Sequence, residues 1–271
     1  MRTVLKYPGS KWNAAKNIVD IIPKHHSYVE PFFGSGAVFF NKVPSDIETI
    51  NDLDGDVVNL FRCIREDSEK LARLVAATPF SRQEYEEAFE SCQEIEDAYE
   101  KAAKFLIKCW QGHGFRTNGY KVGWKNDVQG REKAYALWNW YRLPGWIMEI
   151  AERLRMVQIE NRPAIEVIKR FNFKNVLMYL DPPYVLGTRA GKQYKHEMSD
   201  TEHEELLITI LQSDAKIIIS GYESDMYNDY LKKWNKTSFT SCAEYNGARK
   251  EVIWFNFETD KQMNLFDFIG E

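Results

Sequence analysis

Long apolar runs are missing from this chain of 271 residues. No stretch of about 18 consecutive apolar residues exists, which excludes a helix built to cross a membrane. The opening residues, Met1-Arg2-Thr3-Val4-Leu5-Lys6-Tyr7-Pro8, also lack the apolar centre of a signal peptide. Cysteine is sparse. The four present, Cys63, Cys92, Cys109 and Cys242, form no CxxC pair. That pattern argues against a zinc site or a disulfide scaffold, predicts no metal, and fits a reducing, cytoplasmic setting. No internal repeat and no low-complexity tract is present.

What remains is the profile of a globular protein, with 44% hydrophobic and 28% charged residues. Its length suits one large or two modest domains. Net charge is small, at −4, but its distribution is uneven. Residues 81–100 carry eight acids against Arg82, a net of −7, and residues 101–142 carry nine bases against Asp127 and Glu132, a net of +7. A basic, aromatic-rich stretch of this kind is compatible with a nucleic-acid footprint. Two solvated helix faces of opposite sign would look the same and are the plainer reading of charge alone.

Strand and helix patterns alternate over the first third. Ala14 to Ile22 has helical spacing that Pro23 ends, and Ser27 to Glu30 predicts a strand entering a glycine-bearing turn, Pro31 to Gly36. An apolar helix follows from Ala37. Ile47 to Ile50 predicts a second strand, with Asn51-Asp52-Leu53-Asp54 at its carboxyl end. Helical spacing then dominates: Val57 to Ile64, Ser68 to Ala77, and Ser81 to Trp110, the last opened by a Ser81/Glu84 capping box. Residues 111–130 are Gly-rich and aperiodic, and so predict a long functional loop bearing Phe115, Tyr120 and Trp124. Helices over Arg131–Tyr141 and Trp146–Arg155 are expected on either side of a break at Pro144-Gly145. Alternation returns with a strand at Val157–Ile159, a helix at Ala164–Arg170 and a buried strand at Val176–Leu180. A helix over Asp200–Gln212 capped by Ser199, a strand at Lys216–Ser220 and a last strand at Glu251–Phe257 complete the pattern. The expectation is a Rossmann-like, doubly wound α/β sheet formed by residues 1–55 and 155–258. A helical block, 56–154, interrupts it, and a tail, 259–271, follows.

Three constellations carry chemistry. In Glu30-Pro31-Phe32-Phe33-Gly34-Ser35-Gly36, glycines at a strand-to-helix turn let a ligand approach the backbone, and Asp52 closes the next strand where an acid can bind ribose hydroxyls. The turn is neither GxGxxG nor a phosphate loop, so a nucleoside cofactor without pyrophosphate fits better, S-adenosylmethionine being the common one. The second is Asp181-Pro182-Pro183-Tyr184 at the end of a buried strand, the edge where open α/β sheets bind ligands. An aromatic amine is a poor nucleophile. A carboxylate on Asp181 and the Pro182 carbonyl can both accept its hydrogens, while proline fixes the carbonyl in place. Tyr184 offers a flat face to a base swung out of a duplex. The third, Lys6-Tyr7-Pro8-Gly9-Ser10-Lys11-Trp12, is a tight turn able to cover an adenosyl group.

Together and in this order, the three resemble the DNA adenine methyltransferases of the Dam type over nearly the whole chain. The resemblance implies adenine-N6 methylation of duplex DNA without a metal or a covalent enzyme intermediate, on a monomer, either alone or in restriction–modification. Tyr7, Lys11, Glu30, Phe33, Gly34, Gly36, Asp52 and Asp181 are then expected around S-adenosylmethionine. Asp181, Pro182, Pro183 and Tyr184 are expected around the flipped adenine. The helical block becomes the target-recognition part, and residues Tyr194 to Asp200, with His203, resemble the family's post-catalytic loop, where His196 and His203 are structural or DNA-facing rather than metal ligands.

The reading loop departs from the family's GATC-specific members, whose hairpin ends in a pattern like FNVPFG. Here it reads Arg116-Thr117-Asn118-Gly119-Tyr120-Lys121-Val122-Gly123-Trp124-Lys125. Arg116 or Lys121 suits guanine, Asn118 suits adenine, and Tyr120 suits stacking or intercalation, with Trp124 and Lys125 beside them. In the tail, Gln262-Met263-Asn264-Leu265-Phe266 resembles the pentapeptide by which bacterial proteins dock on the replicative sliding clamp, Gln262, Leu265 and Phe266 being the anchors. A tail folded back on the sheet is the alternative. Cytosine-N4 methylation poses the same amine problem, but such enzymes more often open the tetrapeptide with Ser. A non-catalytic DNA-binding protein is a further alternative, against which the intact tetrapeptide weighs.

Overall fold

A computed structural model describes residues 1–90, 95–126, 135–189, 191–243 and 247–259. Its centre is a seven-stranded sheet in the order β3-β2-β1-β4-β5-β7-β6. The strands are β1 (Ser27–Glu30), β2 (Ile47–Asn51), β3 (Val157–Glu160), β4 (Val176–Leu180), β5 (Lys216–Tyr222), β6 (Asn235–Ala243) and β7 (Gly247–Phe255). The first five run parallel, and β7 enters antiparallel between β5 and β6. β4, Val-Leu-Met-Tyr-Leu, is buried along its whole length. A strand covered on both faces needs such a continuous apolar run. Strand order reverses between β1 and β4, and the crevice beyond the carboxyl ends of two such neighbours is where doubly wound sheets take ligands. The glycine turn after β1 and the Asp181 tetrapeptide after β4 both end there.

The helices are α1 (Ala15–Val19), α2 (Ala37–Asn41), α3 (Gly55–Ala77), α4 (Arg82–Glu90), α5 (Ala98–Gln111), α6 (Tyr135–Leu154), α7 (Ala164–Arg170), α8 (Asp200–Leu211) and α9 (Asp225–Tyr230). Several sequence expectations change here. The two helices expected over Val57–Ala77 are one, α3, bent at Asp67, whose φ of −150° leaves the helix. The Asp67 carboxylate then accepts from Lys70 N at 2.9 Å and recaps the second half. The single helix expected from Ser81 to Trp110 is two. Asp97 starts α5 by accepting from the Tyr99 and Glu100 amides. The break expected at Pro144-Gly145 does not occur: α6 passes through Pro144. Its buried stripe of Trp140, Leu143, Ile147, Ile150 and Leu154 continues across the proline, and packing along that stripe outweighs the lost backbone hydrogen bond. Residues 131–134 of the helix expected at Arg131 lie outside the described residues. The helix expected over Ala14–Ile22 spans only Ala15–Val19, and α9 and β6 were not expected.

The helices α3 to α6 share one apolar cluster with a face of the sheet: Phe33, Phe39 and Phe61 meet Leu106, Trp110, Ile147 and Leu154 without interruption. A second cluster fills the other face under α7, α8 and α9. One buried ion group fastens α6 to the sheet. Glu48 of β2 holds Lys42 at 2.6 Å and the Arg153 guanidinium through both oxygens. These two cations keep the Glu48 carboxyl below its ordinary range although burial alone would raise it.

Candidate active site

The turn after β1 is shaped by two glycines in the left-handed region, Gly34 at φ 50° and Gly36 at φ 65°. A side chain at Gly36 would overlap the Phe33 and Phe40 rings. Gly36 thus lets α2 start close to the sheet. The Gly34 amide donates to Asp52 Oδ2 at 2.8 Å, and the Asp54 amide donates to Asp52 Oδ1 at 2.9 Å. Opposite the turn, Ser10 and Ser35 hydroxyls meet at 2.8 Å, which seats the N-terminal segment on it. The Tyr7 ring lies against Gly34 and 5.9 Å from the Tyr194 ring. Tyr194 in turn donates to the Pro8 carbonyl at 3.1 Å.

These groups line a cavity of about 840 Å³, open mouth included, that reaches from Asp52 to Asp181 and Pro183. The two constellations that the sequence separates by some 150 residues face one space. Glu30, Asp54, Glu197 and Glu202 also border it, while Lys11 is the only lysine among its lining residues. Burial, only partly offset by hydrogen bonds, pushes the Asp52 carboxyl up to about 6. Burial raises Glu30, which accepts from Tyr28 at 2.6 Å, to about 8. Lys11 is itself almost fully buried. Desolvation opposes its charge, but Asp181 at 3.2 Å and Glu251 at 3.7 Å outweigh that and hold the ammonium charged. A cavity with this surplus of buried acid favours a ligand that brings positive charge.

The tetrapeptide is braced from the neighbouring strands. Ser220 on β5 donates to Asp181 Oδ1 at 2.7 Å. Glu251 on β7 accepts from the Tyr184 hydroxyl at 3.0 Å. The Lys11 ammonium lies 4.7 Å from the centre of the Tyr184 ring, and the Tyr222 ring meets Tyr184 edge to face with ring centres 4.6 Å apart. Among the predicted residues, Tyr7, Lys11, Glu30, Phe33, Gly34, Asp52, Asp181 and Pro183 border the cavity. Gly36, Pro182 and Tyr184 are not among its lining residues. Sequence reading missed Ser220, Glu251 and Tyr179. His203 is buried and bonded to the Tyr227 hydroxyl at 2.9 Å, and His196 borders the cavity. No group of three or more metal-binding side chains occurs among the described residues, and no helix among them is long and apolar enough to cross a membrane.

The loop expected to read DNA leaves α5 and is pinned beside this cavity. Thr117 N donates to Gln193 O at 2.9 Å, Lys195 N to Thr117 Oγ1 at 2.8 Å and Asn118 Nδ2 to Lys192 O at 3.0 Å. Arg116 and Tyr120 stand in solvent with the guanidinium 4.9 Å from the ring centre, and Lys121 is exposed too. Trp124 differs from its expected role: its ring packs on Phe80 at 5.7 Å and under Arg82 at 5.0 Å. It anchors the loop base, because a half-buried indole gains more against the helices than in water. Lys125 is also half-buried, its amide bonded to Gln111 O at 2.7 Å. The Asn118 amide is engaged within the loop, since its oxygen also accepts from Tyr120 N at 3.1 Å. Gln262, Leu265 and Phe266 lie outside the described residues.

Comparison with known proteins supplies the reaction. Residues 7–248 match the D12 class N6 adenine-specific DNA methyltransferase family. The chain is 30% identical to a DNA adenine methylase of Salmonella typhi over 93% of this chain and 92% of that protein. It is 25% identical to a Type II methyltransferase of Lactococcus lactis subsp. cremoris over 92% and 90%, and 23% identical to one of Methanocaldococcus jannaschii over 87% and 89%. A match of this length to an adenine-specific enzyme family sets aside the cytosine-N4 and non-catalytic alternatives. The cavity at the switch of strand order therefore sits in a protein that belongs to the D12 class of N6 adenine-specific DNA methyltransferases.

Proposed function

We propose that this enzyme takes its methyl group from S-adenosylmethionine bound in the cavity beside Gly34 and delivers it to an adenine extruded from duplex DNA against Asp181. The observation that carries this reading is the shared cavity itself: the Asp52–Gly34 turn and the Asp181 carboxylate border one space. The residues suit the donor, which carries a sulfonium and an ammonium. Glu30 is buried and Asp52 half-buried, desolvation drives both carboxyls up, and positive charge beside them relieves that cost. Tyr7, Phe33 and Tyr194 supply aromatic surface for the adenosyl ring. When bound, the donor supplies an electrophilic methyl.

The chain's own groups do the rest. Asp181 and the Pro182 carbonyl accept the two hydrogens of the exocyclic amine and hold its lone pair towards the donor. The Tyr184 ring, fixed by Glu251 and Lys11, flanks the base pocket. Residues 56–154 form the DNA-reading unit, with Arg116, Asn118, Tyr120, Lys121 and Lys125 on its loop and Trp124 as its anchor. Residues 1–55 and 155–258 hold donor and base, and the 259–271 tail carries the sliding-clamp docking peptide. In Asp181→Ala, methyl transfer to duplex DNA should fall by about 1,000-fold or more, while donor binding stays within several-fold of wild type. Transfer at the wild-type rate by that variant overturns the proposal.

A further inference from the structure

Asp181 has two oxygens, and the structure treats them differently. Ser220 donates to Oδ1 at 2.7 Å, and the Lys11 ammonium approaches the same oxygen at 3.2 Å. Among the described residues no hydrogen bond ends on Oδ2. Behind Ser220 stands Tyr179, whose hydroxyl lies 3.1 Å from Ser220 Oγ. Both residues are buried, with Ser220 fully so. Burial, followed by the nearby Asp181 charge, raises the Tyr179 phenol well above its ordinary range, so it keeps its proton and donates. A serine hydroxyl has one hydrogen. If it accepts from Tyr179, that hydrogen is committed to Asp181, and the Leu180 carbonyl at 3.3 Å is the poorer alternative. The chain Tyr179–Ser220–Asp181 is therefore directional, and it crosses from β4 to β5 and back.

We propose that Ser220 is a positioning residue for the reaction. By saturating Oδ1, and with Tyr179 setting its own orientation, it locks the carboxylate so that Oδ2 is the one carboxylate oxygen offered to the adenine amine, beside the Pro182 carbonyl. The proposal rests on the assignment of Asp181 above. A carboxylate free to rotate about its last bond would present either oxygen in varied directions, and a small misplacement in such a site costs more in rate than in binding.

The test compares Ser220→Ala, Tyr179→Phe and Asp181→Ala by steady-state kinetics on duplex DNA with S-adenosylmethionine, alongside thermal melts. Ser220→Ala should lower kcat by about ten-fold or more, with KM for the donor within two-fold and a melting temperature near wild type. Tyr179→Phe, which leaves Ser220 in place, should lower kcat by about two- to five-fold. Conversion of Ser220 to Thr, which keeps the hydroxyl, should restore most of the rate lost in Ser220→Ala. Wild-type kcat in Ser220→Ala beside an inactive Asp181→Ala overturns the positioning role alone. An active Asp181→Ala overturns the assignment on which it stands. A Ser220→Ala protein that loses melting temperature, kcat and KM together, with Tyr179→Phe unaffected, would show a packing role and also defeat the proposal.

Discussion

Around Asp181, the side chains Lys11, Ser220 and Glu251 are buried and already bonded to the groups they serve. Some residues away, Arg116, Tyr120 and Lys121 stand in solvent on a loop turned by Gly114 and Gly119. Under the proposed function, the contrast follows from two tasks. Aligning an amine with a methyl donor gains from fixed dipoles in a dry site, since groups already oriented need no rearrangement during reaction. Reading base edges requires side chains that leave water only when DNA arrives, and a preset, exposed Arg116–Tyr120 stack is ready for that without burying an unpaired charge.

Substitutions can break or sharpen this contrast. The largest effect is expected on the rigid side. Arg153→Met leaves Glu48 buried with Lys42 as its remaining cation, and removing one partner of such a buried group should cost about 3–5 kcal/mol in denaturant unfolding. A loss under about 1 kcal/mol would mean the clasp between α6 and the sheet is far weaker than its geometry suggests. On the adaptable side, Arg116→Ala should leave unfolding within about 0.5 kcal/mol of wild type and reduce discrimination at one base position by about 1–3 kcal/mol. Comparing methylation rates across single-substituted duplexes checks it, and an unchanged preference profile removes Arg116 from base reading.

The smallest and most diagnostic effect is pH dependence. Burial raises Asp52 to about 6 and Glu30 to about 8, so the folded state favours their protonated forms. Their contribution to stability is complete below the ordinary carboxylate range and is lost as pH rises through those two values. A cationic donor reverses the preference. Its affinity should rise over the same window, by about ten-fold in total, and its binding should release protons. Calorimetry in buffers of different ionisation enthalpy reads both, and an affinity that falls as pH rises would contradict a cationic ligand in this cavity.

Much of this was legible in sequence because the signals were local. The turn at Gly34 and the tetrapeptide at Asp181 are contiguous, and both sit at strand ends whose apolar runs mark them as buried. Ser220 closes a predicted strand, yet its role needs the pairing of Leu180 with Ile219, which brings the following residues side by side. No single-strand pattern reports that register. Glu251 was harder still, for only the antiparallel entry of β7 beside β5 turns it towards Tyr184. The misread Ser81–Trp110 helix did contain its own correction: Asp97 followed by Glu100 is a start signal, obscured by the surrounding acids. Trp124 misled for a different reason. An aromatic in a polar loop reads as a probe of ligand, and only the nearness of Phe80 and Arg82 shows it facing inward.

The seam joining Thr117 and Asn118 to residues 192–195 also constrains how such an enzyme can diversify. Its bonds end at Asn118, so the tip from Gly119 to Lys121 is a cassette outside the stitched region. On the proposed assignment, exchange of those few letters would alter which bases meet the protein, while the rim of the cavity carried by Tyr194 and Glu197 keeps its attachment. Under that proposal, novel target preferences come within reach of short insertions or swaps that never touch Asp181.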